Sequence, residues 1–86
     1  MITHAAIQQG GKIYSIPAPA RHHHVSLMMI SICKVNPTQE RVEGFLDEQI
    51  DGSLMFVTRT VAAQIASTTK QFKHIPTKIL TTNDVW

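Results

Sequence analysis

The sequence predicts a small single α+β domain, residues 1–86, in the order ββαββα with an optional final strand. Three observations carry this expectation. Gly10-Gly11 and Asp51-Gly52 each stand between two short runs suited to strands, and both are turn signals. Each hairpin is followed by a segment with apolar residues at helical spacing. The chain has 86 residues, enough for one domain and not two. Antiparallel hairpins with helices on one face make the α+β class.

The first strand is Ile2 to Gln9 and the second Lys12 to Ile16, where Tyr14, Ser15 and Ile16 alternate. Gly-Gly supplies the positive φ that a two-residue hairpin turn requires. Pro17-Ala18-Pro19 stops the ladder, because proline has no N–H to donate. Ala20 to Val35 is read as a helix, with Val25, Met28, Met29, Ile32 and Cys33 on one face. Asn36-Pro37 ends it, since a residue before proline avoids the α region. Met28, Met29, Met55 and Cys33 are expected in the core.

Val42 to Asp47 reads as a strand, Gln49 to Ser53 as a turn and Leu54 to Val57 as the returning strand. Thr58 is placed to cap a second helix from Arg59 to about Gln71, with Ala62, Ile65, Ala66 and Thr69 on one face. Ile75-Pro76 closes that segment. Thr77 to Leu80 is the optional last strand, followed by the tail Thr82 to Trp86. The ββα order occurs twice, although the two halves share no obvious residues.

Composition narrows the function classes. Hydrophobic residues make up 43% and charged residues 16%, a globular balance with a light charge load. A chain this short buries a modest core, and oligomerisation, most simply as a homodimer, buries more. The net charge of +2 comes from basic residues scattered along the chain, so there is no strong nucleic-acid signal. One cysteine, Cys33, allows no internal disulfide, and the cytoplasm is the simplest compartment. The longest apolar stretch, Leu27 to Cys33, is far too short to span a bilayer, so no membrane partner is expected.

The chemistry-bearing cluster is Arg21-His22-His23-His24, at the start of the first predicted helix. Exposed N–H groups and the helix dipole favour an anion there. Arginine adds a fork suited to phosphate or carboxylate, and histidine adds donors and acid/base capacity near neutral pH. The plainer alternative is a solvated first turn. Adjacent helical positions turn by about 100°, so three successive histidines cannot face one ion, and no metal or other cofactor is expected. His4 or His74 is the remaining candidate to join the cluster. Arg59 lies in the first turn of the second helix, against the dipole, which calls for a partner. Asp47 and Asp84 are the internal candidates, and a ligand is the alternative. Trp86 is expected either to pack on its own domain or to serve an interface or a stacked ligand.

Several segments taken together resemble a family of small phage- and prophage-encoded proteins of no established function. They are Ala5-Ala6-Ile7, Gly11 to Ser15, Pro19 to His23, Gly44 to Asp47, Phe56-x-x-Arg59-x-x-Ala62-x-x-Ile65-Ala66, and Gln71. Leu80 and Asn83 to Trp86 resemble that family's Ser-Glu-Asp-Leu-Trp ending. The resemblance spans nearly the whole chain. The family pattern has an acid where this chain has His24 and a Glu where it has Asn83, so roles resting on those carboxylates do not transfer.

The resemblance implies a phage setting in a bacterial host. The leading expectation is an accessory protein that binds and inhibits a host defence or regulatory protein. An alternative is a nucleotide-binding protein using Arg21, His22, His23, Arg59 and Trp86. A small phosphoesterase-like hydrolase is a third, weakened because no carboxylate or nucleophile adjoins the histidines.

Overall fold

Gly10 and Gly11 adopt φ of +60° and +77° and close the turn between β1, Ile2–Gln9, and β2, Lys12–Pro17. Glycine takes this left-handed conformation without steric cost, and the turn then matches the twist of the strands. The computed structural model describes residues 1–36, 40–71 and 79–86. The second hairpin joins β3, Val42–Glu48, to β4, Leu54–Thr58. Asp51 holds its turn: one carboxylate oxygen accepts from the Ser53 hydroxyl at 2.6 Å and the Ser53 N–H at 2.9 Å. These bonds hold the Asp51 carboxyl below the usual carboxylate range.

β1 pairs antiparallel with β3, Ala5 opposite Phe45, so the sheet runs β2-β1-β3-β4. α1, His22–Ser31, packs over β1 and β2, and α2, Arg59–Thr69, packs over β3, β4 and β1. The α+β class and the ββαββα order follow the sequence expectation. The two ββα units sit side by side about the β1·β3 seam, β1 matching β3 and α1 matching α2. The doubled order in the sequence is thus a doubled arrangement in space.

Alternation along the strands sends Ala5, Ile7, Phe45 and Val57 to the helix side. Under α1 the core is Ala5, Ile7, Val25 and Met29; under α2 it includes Ile2, Phe45, Val57, Ala62, Ala66 and Leu80. Trp86 packs against both. Gln71, just past α2, hydrogen-bonds both backbone groups of Ile2, accepting from its N–H at 2.8 Å and donating to its carbonyl.

Several expectations are corrected. α1 ends at Ser31 rather than Val35, because Ile32 and Cys33 both donate to the Met28 carbonyl and Lys34 turns left-handed at φ +58°. Ile32 and Cys33 therefore leave the helical stripe and are exposed, so Cys33 is not a core residue. Met29 is buried as expected, but Met28 is half-buried and Met55 exposed on the short β4. α2 ends at Thr69, with Lys70 left-handed at φ +56°. Of the optional strand Thr77 to Leu80, residues 77 and 78 lie outside the described residues, and Ile79 and Leu80 are not in a strand. Ile75-Pro76 also lies outside them. The tail instead winds into α3, Thr82–Val85, where Asp84 accepts from the Thr81 N–H at 3.0 Å. Among the described residues no helix is long and apolar enough to cross a membrane.

Candidate functional site

His22 is the first residue of α1, Arg59 the first residue of α2, and the two meet above β3. The backbone bends that start each helix place them there. Arg21 stands at the N-cap of α1 in extended conformation, and Thr58 stands likewise before α2, its hydroxyl accepting from the Val61 N–H at 3.4 Å. α1 has no acid in its first turn. His24 takes over that task, its Nδ1 accepting from the Arg21 N–H at 2.9 Å.

His22 is only 6% exposed. Its Nε2–H donates to the Gly44 carbonyl at 2.7 Å. Its Nδ1 accepts from an Arg59 guanidinium N–H at 3.3 Å. One nitrogen must donate and the other accept, so this is the neutral ring in a single tautomer. Burial pushes the His22 pKa down from its ordinary value, and Arg59 pushes the same way; the Gly44 carbonyl and Glu43 oppose them.

Arg59 passes the charge on to Glu43 at 3.0 Å. Both side chains are partly exposed, so the pair itself stabilises by about 0–1 kcal/mol. Neither Asp47 nor Asp84 is the partner: Asp84 caps α3, and Asp47 accepts from Gln49 at 3.0 Å. The partner is Glu43, which the sequence does not single out. Alternation brings it to the helix side of β3, beside the start of α2, and nothing local in the sequence signals that.

The other site residues spread outward from this pair. The His22 ring meets Phe45 edge-on at 5.0 Å, and Phe45 meets Trp86 edge-on at 6.0 Å. The Trp86 indole N–H donates to the Ala20 carbonyl at 2.7 Å. Trp86 is thus docked on its own domain, as one of the two expectations had it. Arg21 reaches Thr82 of α3 at 3.5 Å. The structure therefore brings Arg21, His22, Arg59 and Trp86 around one end of the helix layer.

His23 is separate. It is exposed and its ring lies against His24, with centroids 4.1 Å apart. His4 bonds Thr3 at 2.7 Å and belongs to the opposite sheet face, and His74 lies outside the described residues. Among the described residues no three His, Cys, Asp or Glu side chains are placed to share a metal ion.

In chemical terms the centre of this cluster is occupied. Both His22 nitrogens are bonded inside the fold, so the ring has no lone pair or proton to offer a bound molecule without breaking one of those bonds. The surface beside it is different. His23, Leu27 and Ile30 recur at i, i+4 and i+7 and share the outer face of α1. Leu27 is 58% and Ile30 40% exposed. His22, Val25 and Met29 form the buried stripe, so α1 is apolar on two sides. The sequence carried this second stripe openly inside the apolar run Leu27 to Cys33. The inward stripe explains that run well enough to hide it.

No protein-family model, curated protein or solved structure matches the chain.

Proposed function

We propose that this chain is a phage-encoded accessory protein of the bacterial host cytoplasm that acts by binding, seating the outer face of α1 in a groove of a host defence or regulatory protein. The phage setting rests on the resemblance described above. The observation that carries the mode of action is the exposed His23–Leu27–Ile30 stripe on a helix whose other side already fills the core. A surface helix normally turns polar residues outward, and anchors at i, i+4 and i+7 are what a helix-in-groove contact uses. His23 adds a donor at the rim of that stripe, close to Arg21.

Binding is favoured over hydrolysis because His22, the best-placed acid/base residue, has both nitrogens committed. It is favoured over nucleotide sequestration because the stacking residue, Trp86, has its N–H on Ala20 and its ring edge-on to Phe45.

The test is a plating assay on hosts carrying defined defence systems, with wild-type chain and Leu27→Glu/Ile30→Glu expressed in parallel. The wild type is expected to raise phage plating on a susceptible host, and the double variant to lose that effect while melting at the wild-type temperature. Full protection of the phage by a folded double variant would remove α1 from the function.

A further inference from the structure

We infer that the groove receiving the outer face of α1 belongs to an acidic protein surface, with an apolar floor and a rim of carboxylates. The inference rests on the docking mode proposed above and adds its charge. All six acids of the chain lie at or after Glu40, so the first ββα unit carries none. Its full charges are Lys12, Arg21 and Lys34, all positive. The second unit mixes both signs. The two units therefore share an arrangement of strands and helix and differ in charge.

The fold gathers these cations around α1. Arg21 stands at its N-cap, and the exposed Lys34 follows its C-terminal end. Lys12 lies on the helix side of β2, opposite Gln9, whose amide donates to the Asn36 carbonyl at 2.8 Å just past that end. Arg41 reaches over from the second unit and donates to the Ser26 hydroxyl at 2.8 Å on the flank of α1. Two acids approach from the same side. Glu43 is paired with Arg59, and Glu40 lines a cleft at the β1–β2 turn together with Arg41. The outer face of α1 itself holds no acid. An acid in the first turn would suit the helix dipole, yet the first three positions are histidines. Negative charge is thus kept off this face even where local helix stability favours it.

The exposed apolar anchors decide among anionic partners. A phosphate backbone offers nothing to Leu27 and Ile30, and α1 has no lysine or arginine of its own to meet phosphates. A helix lying in an anionic membrane surface likewise carries lysine or arginine on its polar face. A protein groove supplies both parts: apolar floor for the two anchors, and carboxylates that meet the cations around the helix ends. Charges at such a rim act mainly on the rate of encounter and the choice of partner, and salt screens them.

NMR titration of the labelled chain with two designed helical hairpins tests it. Both present a leucine-lined groove, rimmed by glutamate in one and by lysine in the other. The glutamate hairpin is expected to shift the signals of His23, Leu27 and Ile30 and to bind at least tenfold tighter than its lysine twin, with the gap closing in high salt. In His23→Glu/His24→Glu that preference is expected to be lost. Glu at position 24 can still accept from the Arg21 N–H, and acids suit the first turn, so this variant should melt at or above the wild-type temperature. His23→Gln/His24→Gln should bind within about threefold of wild type. Equal binding of the two hairpins, or of neither, would overturn the proposal. So would an equal loss in the glutamine variant, or tighter binding of duplex DNA or phosphatidylglycerol vesicles at the same residues. The plating assay separates this from the function it rests on. A wild-type chain without effect there sinks the accessory reading and leaves the titrations to decide the charge of the groove. If Leu27→Glu/Ile30→Glu loses the effect and His23→Glu/His24→Glu keeps it in full, α1 stays in the function and the acidic groove is overturned.

Discussion

His22 and Arg59 hold the same position in the two ββα units, the first residue of each helix, and they touch, Nδ1 of one 3.3 Å from a guanidinium nitrogen of the other. The doubled fold therefore brings its two helix starts together. The neutral histidine accepts from the arginine, and the backbone of β3 accepts from the histidine. Adding a proton to Nδ1 would set two donors and two positive charges against each other.

That contact makes stability depend on pH. Buried His22 has a lowered pKa, so below about pH 6.5 the unfolded chain binds a proton that the folded chain resists. The stabilisation is complete above the unfolded value and is lost as pH falls below it. Urea midpoints are expected to fall as pH is lowered from neutral toward 5. In His22→Asn the dependence should be shallower. By NMR, the His22 ring should titrate below the ordinary histidine value; titration at or above that value would contradict the buried neutral form.

Gly44 should tolerate no side chain. A Cβ there would meet the Val57 carbonyl and stand 2.8 Å from the Phe56 ring. The carbonyl belongs to the neighbouring strand and cannot move without breaking the ladder. Gly44→Ala is expected to cost about 2 kcal/mol or more, from overpacking. A melting temperature within a degree or so of wild type would show that the strands part easily at this point.

Trp86 offers two separable contributions. Trp86→Phe keeps a ring against Phe45 and loses the hydrogen bond to Ala20, at an expected cost of about 1 kcal/mol. Trp86→Ala removes the side chain that packs on both core clusters, at an expected cost of about 3–5 kcal/mol. Denaturant titrations of the two variants measure the difference, and equal costs would mean that the hydrogen bond dominates.

Gln71 acts as a side-chain substitute for a strand. Its amide satisfies the Ile2 N–H and carbonyl at the end of β1, where the register with β3 shifts. Gln71→Ala leaves both groups without that partner and is expected to cost about 1–3 kcal/mol, while Gln71→Glu keeps only the acceptor. Hydrogen exchange at Ile2 should rise in both variants, and an unchanged rate would mean the bond is not held in solution.

The hairpins and helices were legible because their signals are local. Glycines sit where φ is positive, at Gly10, Gly11 and Gly52, and apolar residues repeat at two or at three to four. Helix ends are less legible where lysine does what glycine usually does. Lys34 and Lys70 both turn left-handed, and nothing in a lysine announces it. The site was half legible. Arg59 needed a partner on electrostatic grounds, but its partners, His22 and Glu43, depend on which strands neighbour each other and on which side of β3 a residue falls. The outer stripe of α1 lies in the sequence at helical spacing, but the inward face of the same helix accounts for most of that apolar run.

The order β2-β1-β3-β4 also has a kinetic side. Each hairpin and its helix are made from neighbouring stretches of chain, and closing such short loops is fast. The seam between β1 and β3 joins residues about forty apart, as Ala5 with Phe45, and must draw in the loop that contains α1. Each ββα unit alone has an open strand edge and half a core, so neither is a stable resting place. Folding should therefore be limited by the meeting of the halves, with the slow step at the seam. Substitutions at Ala6 or Gly44 are expected to slow refolding, and changes in the two turns to act mainly on local order.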